Sequence, residues 1–317
     1  MNDVHAKIRS LFQSAGRILI TSHVRPDGDA VGSTLALGLA LMDSGKHVQM
    51  VLPEGLPDSF QHLPGSDLVA AKSTGNFDMV ITLDCSDITR TGDILGGRKP
   101  DLVIDHHITS NGFGTINFVV PEAAATASIL ARYLPNWGLS ITIPVAENLL
   151  TGILTDTIGF RTSNTTPEVL RQAADLLEMG ANLSELYTIA LERRSFPALK
   201  YWGAGLSSLE HRDGMVWATL AIKDRQDSKY PEKDDADLIN LLSAMDNADI
   251  AMVFVELDEN LIKISWRSLN PNVDVSTLAV KFGGGGHRAA SGAEIEGNLA
   301  DVRHRVLEST RQELLAN

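Results

Sequence analysis

Four groups of acids and histidines recur along this chain where apolar runs end. They are His23, Asp27 and Asp29 in H-V-R-P-D-G-D, then Asp84, then Asp105-His106-His107, then Asp156. The runs before them, RILITSH, FDMVITLD, PDLVIDHH and LLTGILTD, have the length of strands, so each group is expected at the carboxyl end of a buried strand. That edge is where an open α/β sheet binds its ligands. Oxygen and imidazole donors converging there suit a hard or borderline divalent metal. Many carboxylates beside two or three histidines point to Mn²⁺ before a structural Zn²⁺. The pattern predicts a two-metal hydrolase.

The first part of the chain alternates strand and helix. RILITS is followed by a helical stretch from about 29 to 45 and by the strand HVQMVL; FDMVITLD, DLVIDHH and a helical AAATASILARYL come next. Alternation of this kind predicts a mostly parallel, doubly wound α/β sheet with helices on both faces. Residues 143–158 have helical periodicity, and Thr166-Pro167-Glu168 opens a further helix that runs to Gly180. Leu183 to Leu199 reads as one connecting helix. Beyond Gly203 the texture changes to strand MVWATLAI, a charged loop KDRQDSKYPEKDDAD, helical LINLLSAM, strands DIAMVFVEL and LIKISWRS, and a C-terminal helix. The expected division is a catalytic domain over 1–190, a linker over 191–204 and a smaller α/β domain over 205–317, with a cleft between the domains.

At 317 residues the chain is long enough for two cores. Its net charge of −13 argues against a broad electrostatic grip on duplex nucleic acid or an anionic membrane. Part of that excess is the acidic group itself, which bound cations would neutralise, so a short anionic substrate stays compatible. Cys85 is the only cysteine, which excludes an intramolecular disulfide and a thiolate zinc site, and is expected to pack as a small buried residue. There is no basic leader ahead of an apolar segment and no apolar run long enough to span a bilayer, so a cytoplasmic location is expected.

Gly28 is expected to let the D-G-D loop turn tightly enough to point two carboxylates inward. A carboxylate closing an apolar strand, as Asp84 does, is costly to bury without a partner, and a metal supplies one. Asp87 reads as a helix N-cap. Asp105, His106 and His107 alternate in direction if extended, so some face one site while others support it. Asp156 has the weakest local signal and reads equally as a helix acid or a ligand. Gly283, Gly284, Gly285 and Gly286, followed by His287, would let backbone amides approach a phosphate. Arg267, at the end of LIKISWRS, has the fork to grip one. Arg161, just beyond Asp156, is a weaker candidate.

In order, H-V-R-P-D-G-D, L-D-C-S-D, D-H-H and T-D-T-I-G-F resemble the four motifs of the DHH phosphoesterase superfamily. G-G-G-G-H-R-A-A-S-G resembles the glycine-rich motif of its DHH-associated domain, in the nano-RNase A and cyclic-dinucleotide phosphodiesterase branch. The resemblance covers nearly the whole chain. It implies that His23, Asp27 and Asp84 hold one Mn²⁺, and that Asp29, Asp84, His106 and Asp156 hold a second, with Asp84 bridging; Mg²⁺ or Co²⁺ would serve in vitro. His107 would face the scissile phosphate, Asp105 would orient the histidine pair, and Arg267 with the glycine-rich loop and His287 would recognise substrate. Two metals about 3.5 to 4 Å apart share a water, lower its pKa and clamp phosphate oxygens. A covalent nucleophile is not needed, and no G-x-S-x-G, Walker A or H-E-x-x-H motif suggests one.

The expected activity is hydrolysis of short oligoribonucleotides to mononucleotides, and of phosphoadenosine phosphate (pAp). A cyclic-di-AMP or pApA phosphodiesterase is the nearest alternative, and a nucleotide-binding sensor without turnover is the alternative from another class. Processing of long single-stranded DNA is disfavoured by the short, acidic chain. The expected partners are a short oligonucleotide or dinucleotide and pAp, without long duplexes or membranes. A homodimer is among the open oligomeric states.

Overall fold

The computed structural model describes residues 2–316. It divides into two units, Met1–Arg193 and Arg194–Asn317. The first is built on six strands, β1 (Arg17–Thr21), β2 (His47–Val51), β3 (Val69–Ala70), β4 (Met79–Leu83), β5 (Leu102–Asp105) and β6 (Ile116–Val119). Their order is β3-β2-β1-β4-β5-β6, and every pairing is parallel. Chain order therefore reverses between β1 and β4, and a crevice opens beyond the carboxyl ends of strands at such a reversal. The helices are α1 (Asn2–Ser14), α2 (Gly28–Asp43), α3 (Thr126–Tyr133), α4 (Ile143–Asp156), α5 (Pro167–Glu178) and α6 (Leu183–Tyr187).

Helix α2 is buried on nearly every side, which is why its sequence GDAVGSTLALGLALMD is apolar all round and not striped. Its tight packing on α4 depends on small residues. A Cβ on Gly28 would lie 2.3 Å from Thr155 Cγ2, and one on Gly32 would lie 2.5 Å from the Asn148 carbonyl. Gly28, expected to allow a tight turn, is the first residue of α2 without a left-handed φ, and it matters through close helix approach. Helix α5 shows the opposite design, burying only Val169, Ala173 and Leu176 at i, i+4, i+7, with Thr166 Oγ1 accepting from Val169 N at 3.3 Å as its N-cap.

The second unit is a mixed sheet of β7 (Glu210–Arg212), β8 (Met215–Leu220), β9 (Ile250–Asp258), β10 (Leu261–Ser268), β11 (Gly285–His287) and β12 (Ala290–Glu296). The order is β11-β12-β10-β9-β8-β7, with only β8 and β9 parallel. Helices α7 (Phe196–Ser207), α8 (Ile222–Ser228) and α9 (Leu238–Leu242) precede or interleave β7 to β9, and α10 (Val275–Lys281) and α11 (Leu299–Ala316) follow. One face buries Met252, Phe254, Ile264 and Trp266 against Val275, Leu278, Val302 and Val306 of α10 and α11. The other buries Val216, Ala218, Val253 and Val255 against Ala198, Tyr201, Leu238 and Ile239 of α7 and α9.

Three local expectations change. The single helix over 183–199 is broken: a π-helical turn, Thr188–Glu192, follows α6, Arg193 is extended, and Ser195 caps a new helix with Pro197 in its first turn. Residues 196–204 of the expected linker therefore lie in helix α7, with Ala198 and Tyr201 buried in the second unit. The charged stretch after Ile222 begins with helix α8, because Asp224 reaches back to the Ala221 N–H at 2.9 Å and Lys229 closes it in a left-handed cap. No helix among the described residues is long and apolar enough to cross a membrane.

Candidate metal centre

Every strand that borders the chain reversal delivers one group of donors. His23 follows β1 by two residues, Asp84 directly follows β4, and Asp105-His106-His107 ends and follows β5. Since β1, β4 and β5 are successive neighbours, the three groups emerge side by side at one edge. Asp27 and Asp29 come from the N-terminus of α2. Asp156 does not end a strand: LLTGILTD is the second half of α4, and Asp156 is its last residue. There the helical period over 143–158 prevails over the length of the apolar run, and packing of α4 on α2 brings Asp156 to the same place.

Two triads of donors result, His23 with Asp27 and Asp84, and Asp29 with His106 and Asp156, the ligand atoms of each lying within 4.8 Å of one another. His23 Nε2 is 3.6 Å from Asp84 Oδ2 and 4.0 Å from Asp27 Oδ2. His106 Nε2 is 3.2 Å from Asp156 Oδ2, 3.5 Å from Asp84 Oδ1 and 3.9 Å from Asp29 Oδ2. The two Asp84 oxygens therefore face different triads. A third grouping, Asp84 with His106 and His107, overlaps them.

Hydrogen bonds orient these donors. His23 Nδ1 lies 2.8 Å from the Val24 carbonyl and His106 Nδ1 3.3 Å from the Ala123 carbonyl. A carbonyl only accepts, so each Nδ1 carries the proton and each Nε2 presents a lone pair to the carboxylates, the arrangement that metal-ligating histidines adopt. Asp105 Oδ1 accepts from the backbone N–H of His106 and His107 and from His107 Nδ1 at 2.7 Å, which holds the pair in place. The Asp105 Oδ2 atom is buried without a hydrogen-bond partner. Asp87 caps the following 3₁₀ turn by accepting from Thr89 N at 2.8 Å.

Thr126 and Ala127 carry no signal of this kind in the sequence, yet they hold the centre together. Asp29 Oδ2 accepts from Thr126 N at 2.6 Å and Oδ1 from Ala127 N at 2.8 Å, so a carboxylate 97 residues upstream caps α3, whose own N-cap is Ala125. Thr126 Oγ1 also donates to Asp84 Oδ1 at 3.1 Å, which ties the two triads together. An alanine-rich helix start without a Ser, Asp or Asn cap was the available clue.

Electrostatics match a cation site. Burial, then Asp84 and Asp27, push the Asp29 carboxyl well above its usual range; burial, Asp29, Asp27 and Asp84 do the same to Asp156. Burial raises Asp84 too, but the neighbouring His23, then His106 and His107, outweigh burial and hold it below the usual range. His107 is depressed by burial but raised overall, to about 9, by Asp105 and Asp84. Carboxylates that raise one another in a buried cluster are what a divalent ion relieves. Asp84 itself takes a left-handed φ of +50°, strain of the kind that persists at functional sites.

The profile of the DHH family N-terminal domain matches residues 17–153, and that of the DHHA1 domain matches residues 217–314. A Thermus thermophilus protein named bifunctional oligoribonuclease and PAP phosphatase NrnA is 37% identical over 306 residues, 94% of this chain and 90% of that relative. The chain belongs to the DHH family. As a DHH protein with this donor cluster it is a metal-dependent phosphoesterase. An exopolyphosphatase-related protein from Bacteroides fragilis superposes on this DHH chain with a TM-score of 0.90 at 28% identity, covering 99% of this chain and 98% of the other. Thermus thermophilus RecJ in complex with Mn²⁺ shares the DHH fold at a TM-score of 0.57 and 14% identity, over 99% of this chain and 54% of that one.

The expected substrate residues lie in the second unit. Arg267 pairs with Ala290 across β10 and β12, and Ala290 pairs with His287 across β12 and β11. Residues directly opposite in antiparallel strands project to the same side, so Arg267 and His287 share one sheet face. The next row, Ser265, Gly292 and Gly285, leaves that face nearly bare of side chains. Gly284 and Gly286 make the β11–β12 contact possible, since a Cβ would lie 2.1 Å from the Gly292 carbonyl and 2.6 Å from the Ala290 carbonyl respectively; Gly283 has a φ of +77°. Arg267 donates to the Trp266 carbonyl at 3.1 Å and to Asn240 Oδ1 at 3.5 Å, while its Nε is buried without a partner. Arg161 lies in the turn after α4 with its side chain exposed.

Proposed function

We propose that this protein hydrolyses short oligoribonucleotides to mononucleotides, and pAp to its monophosphate, with two Mn²⁺ ions in the first unit and substrate capture in the second. The observation that carries the reading is the meeting of two donor triads on the two oxygens of Asp84. The 37% identical relative named for both activities supports the substrate class. His23, Asp27 and Asp84 would hold one ion, and Asp29, Asp84, His106 and Asp156 the other. Bound there, the ions supply Lewis acidity toward phosphoryl oxygens and lower the pKa of water.

The side chains of the chain then have distinct tasks. Asp105 locks the His107 ring and favours its protonated form, so His107 offers a donor to the phosphoryl group. Arg267, Gly283, Gly284, Gly285, Gly286 and His287 bind substrate. A chain of net charge −13 lacks the surface for long duplexes. The reading places the reaction in the cytoplasm, where short RNA fragments arise.

The test is product formation from a 5′-phosphorylated diribonucleotide, pAp and cyclic-di-AMP in parallel, with Mn²⁺, with chelator, and with Asp84→Asn. Cleavage of the first two that disappears with chelator and with the substitution is expected. Preference for cyclic-di-AMP would move the protein to the cyclic-dinucleotide branch, and tight binding without any product would make it a sensor.

A further inference from the structure

Arg90 lies in the 3₁₀ turn Ile88–Thr91, which directly follows Asp84-Cys85-Ser86-Asp87. Two bonds fix this turn: Asp87 caps it, and the Arg90 carbonyl accepts from the Val24 N–H at 2.7 Å, beside His23. The residue is thus pinned against the loop that carries the first triad. Its side chain is half-buried, and its guanidinium makes no hydrogen bond or ion pair among the described residues. A positive charge held beside His23 and His107, acting on the solvent-facing Asp87 but forming no ion pair with it, is available to something else. Its charge acts through space on His23 and on His107, which flank Asp84 on its two sides.

Charge balance indicates what that partner is. Asp27, Asp29, Asp84 and Asp156 carry four negative charges, enough to neutralise two divalent cations, and Asp105 is taken up by its hydrogen bond with His107. A phosphodiester entering such a centre brings a negative charge with no counterpart, and its transition state concentrates more charge on the non-bridging oxygens. We propose that Arg90 is a further substrate-binding residue of the first unit, gripping a non-bridging oxygen of the phosphoryl group that undergoes hydrolysis. A planar fork that stays charged at every working pH suits a phosphate better than a lysine does. The proposal deepens the phosphodiesterase reading and rests on it.

The experiment compares wild type, Arg90→Ala and Arg90→Lys in the full chain loaded with Mn²⁺. It measures steady-state kinetics on a diribonucleotide, calorimetric binding of AMP, Mn²⁺ content and Tm. Arg90→Ala is expected to lower kcat/KM about 100-fold, the scale of losing one preorganised donor. It is also expected to weaken AMP binding severalfold while Tm and Mn²⁺ content stay at wild-type values. Arg90→Lys should restore part of both losses. Wild-type kinetics and AMP affinity in Arg90→Ala would overturn the proposal, as would losses that follow a fall in Tm or metal content in both variants. If wild type cleaves no diribonucleotide, the phosphodiesterase reading fails, while the AMP measurement still judges Arg90.

Discussion

Gly152 has no room for a side chain: a Cβ would lie 2.6 Å from Ala127 Cβ and 2.8 Å from Asp29 Oδ1. Gly152→Ala is therefore expected to push Asp29 away from α3 and to cost about 1–3 kcal/mol, the scale of overpacking a tight core. Thermal melts with Mn²⁺ titration would show a lower Tm and weaker metal binding together; a wild-type melt would refute the steric argument. Cys85, adjacent to Asp84, is fully buried, and burial pushes its thiol up to about 12. At pH 8 the thiolate fraction is then on the order of 10⁻⁴. A disulfide reagent should leave the native protein unmodified at pH 8 and titrate one thiol after unfolding.

At the level of elements, β11 is the part most exposed to a small change. It has three residues, and its pairing with β12 requires bare backbone at Gly284 and Gly286. Gly284→Ala would drive a methyl into the Gly292 carbonyl, so the short strand should detach while the centre on β1, β4 and β5 stays intact. The expected result is unchanged Mn²⁺ binding with KM for a diribonucleotide raised at least about tenfold, because contacts that bind substrate are lost. Equal loss of Mn²⁺ binding would show that the strand serves another purpose.

For the whole molecule, the acidic cluster makes stability depend on metal and pH together. In metal-free protein His23 and His107 have raised pKa values, that of His107 near 9. A histidine raised in the folded state stabilises it fully below the unfolded value of about 6.5 and loses that contribution as pH rises through the folded value. Asp29 and Asp156, raised well above the carboxylate range, act in the same direction, whereas the lowered Asp84 contributes stability that is lost only in acid. The Tm of chelated protein should thus fall between pH 6.5 and 9. Mn²⁺ should flatten that fall, since its ligands bind it deprotonated, and at 100 times Kd should add about 2.7 kcal/mol. A chelated Tm that rises across this interval would contradict the assignment.

The sequence by itself determined the candidate donors and most of the scaffold that carries them. Asp84 and Asp105-His106-His107 were legible because an acid ending an apolar strand has few tolerable fates, and the strand–helix alternation announced a parallel sheet. The four ordered motifs added the family, and the change of texture after Gly203 announced a second unit. Only the tertiary structure decided that β1 lies beside β4, which sets His23 against Asp84, and that Asp156 arrives on a helix packed through Gly28, Gly32 and Gly152. It alone revealed that Asp29 caps α3 from 97 residues away and that Arg90, which forms no ion pair among the described residues, stands beside the centre. The reason is physical: chain periodicity records which face of an element is buried, whereas a hydrogen bond or a charge contact between distant segments exists only once packing has set their separation.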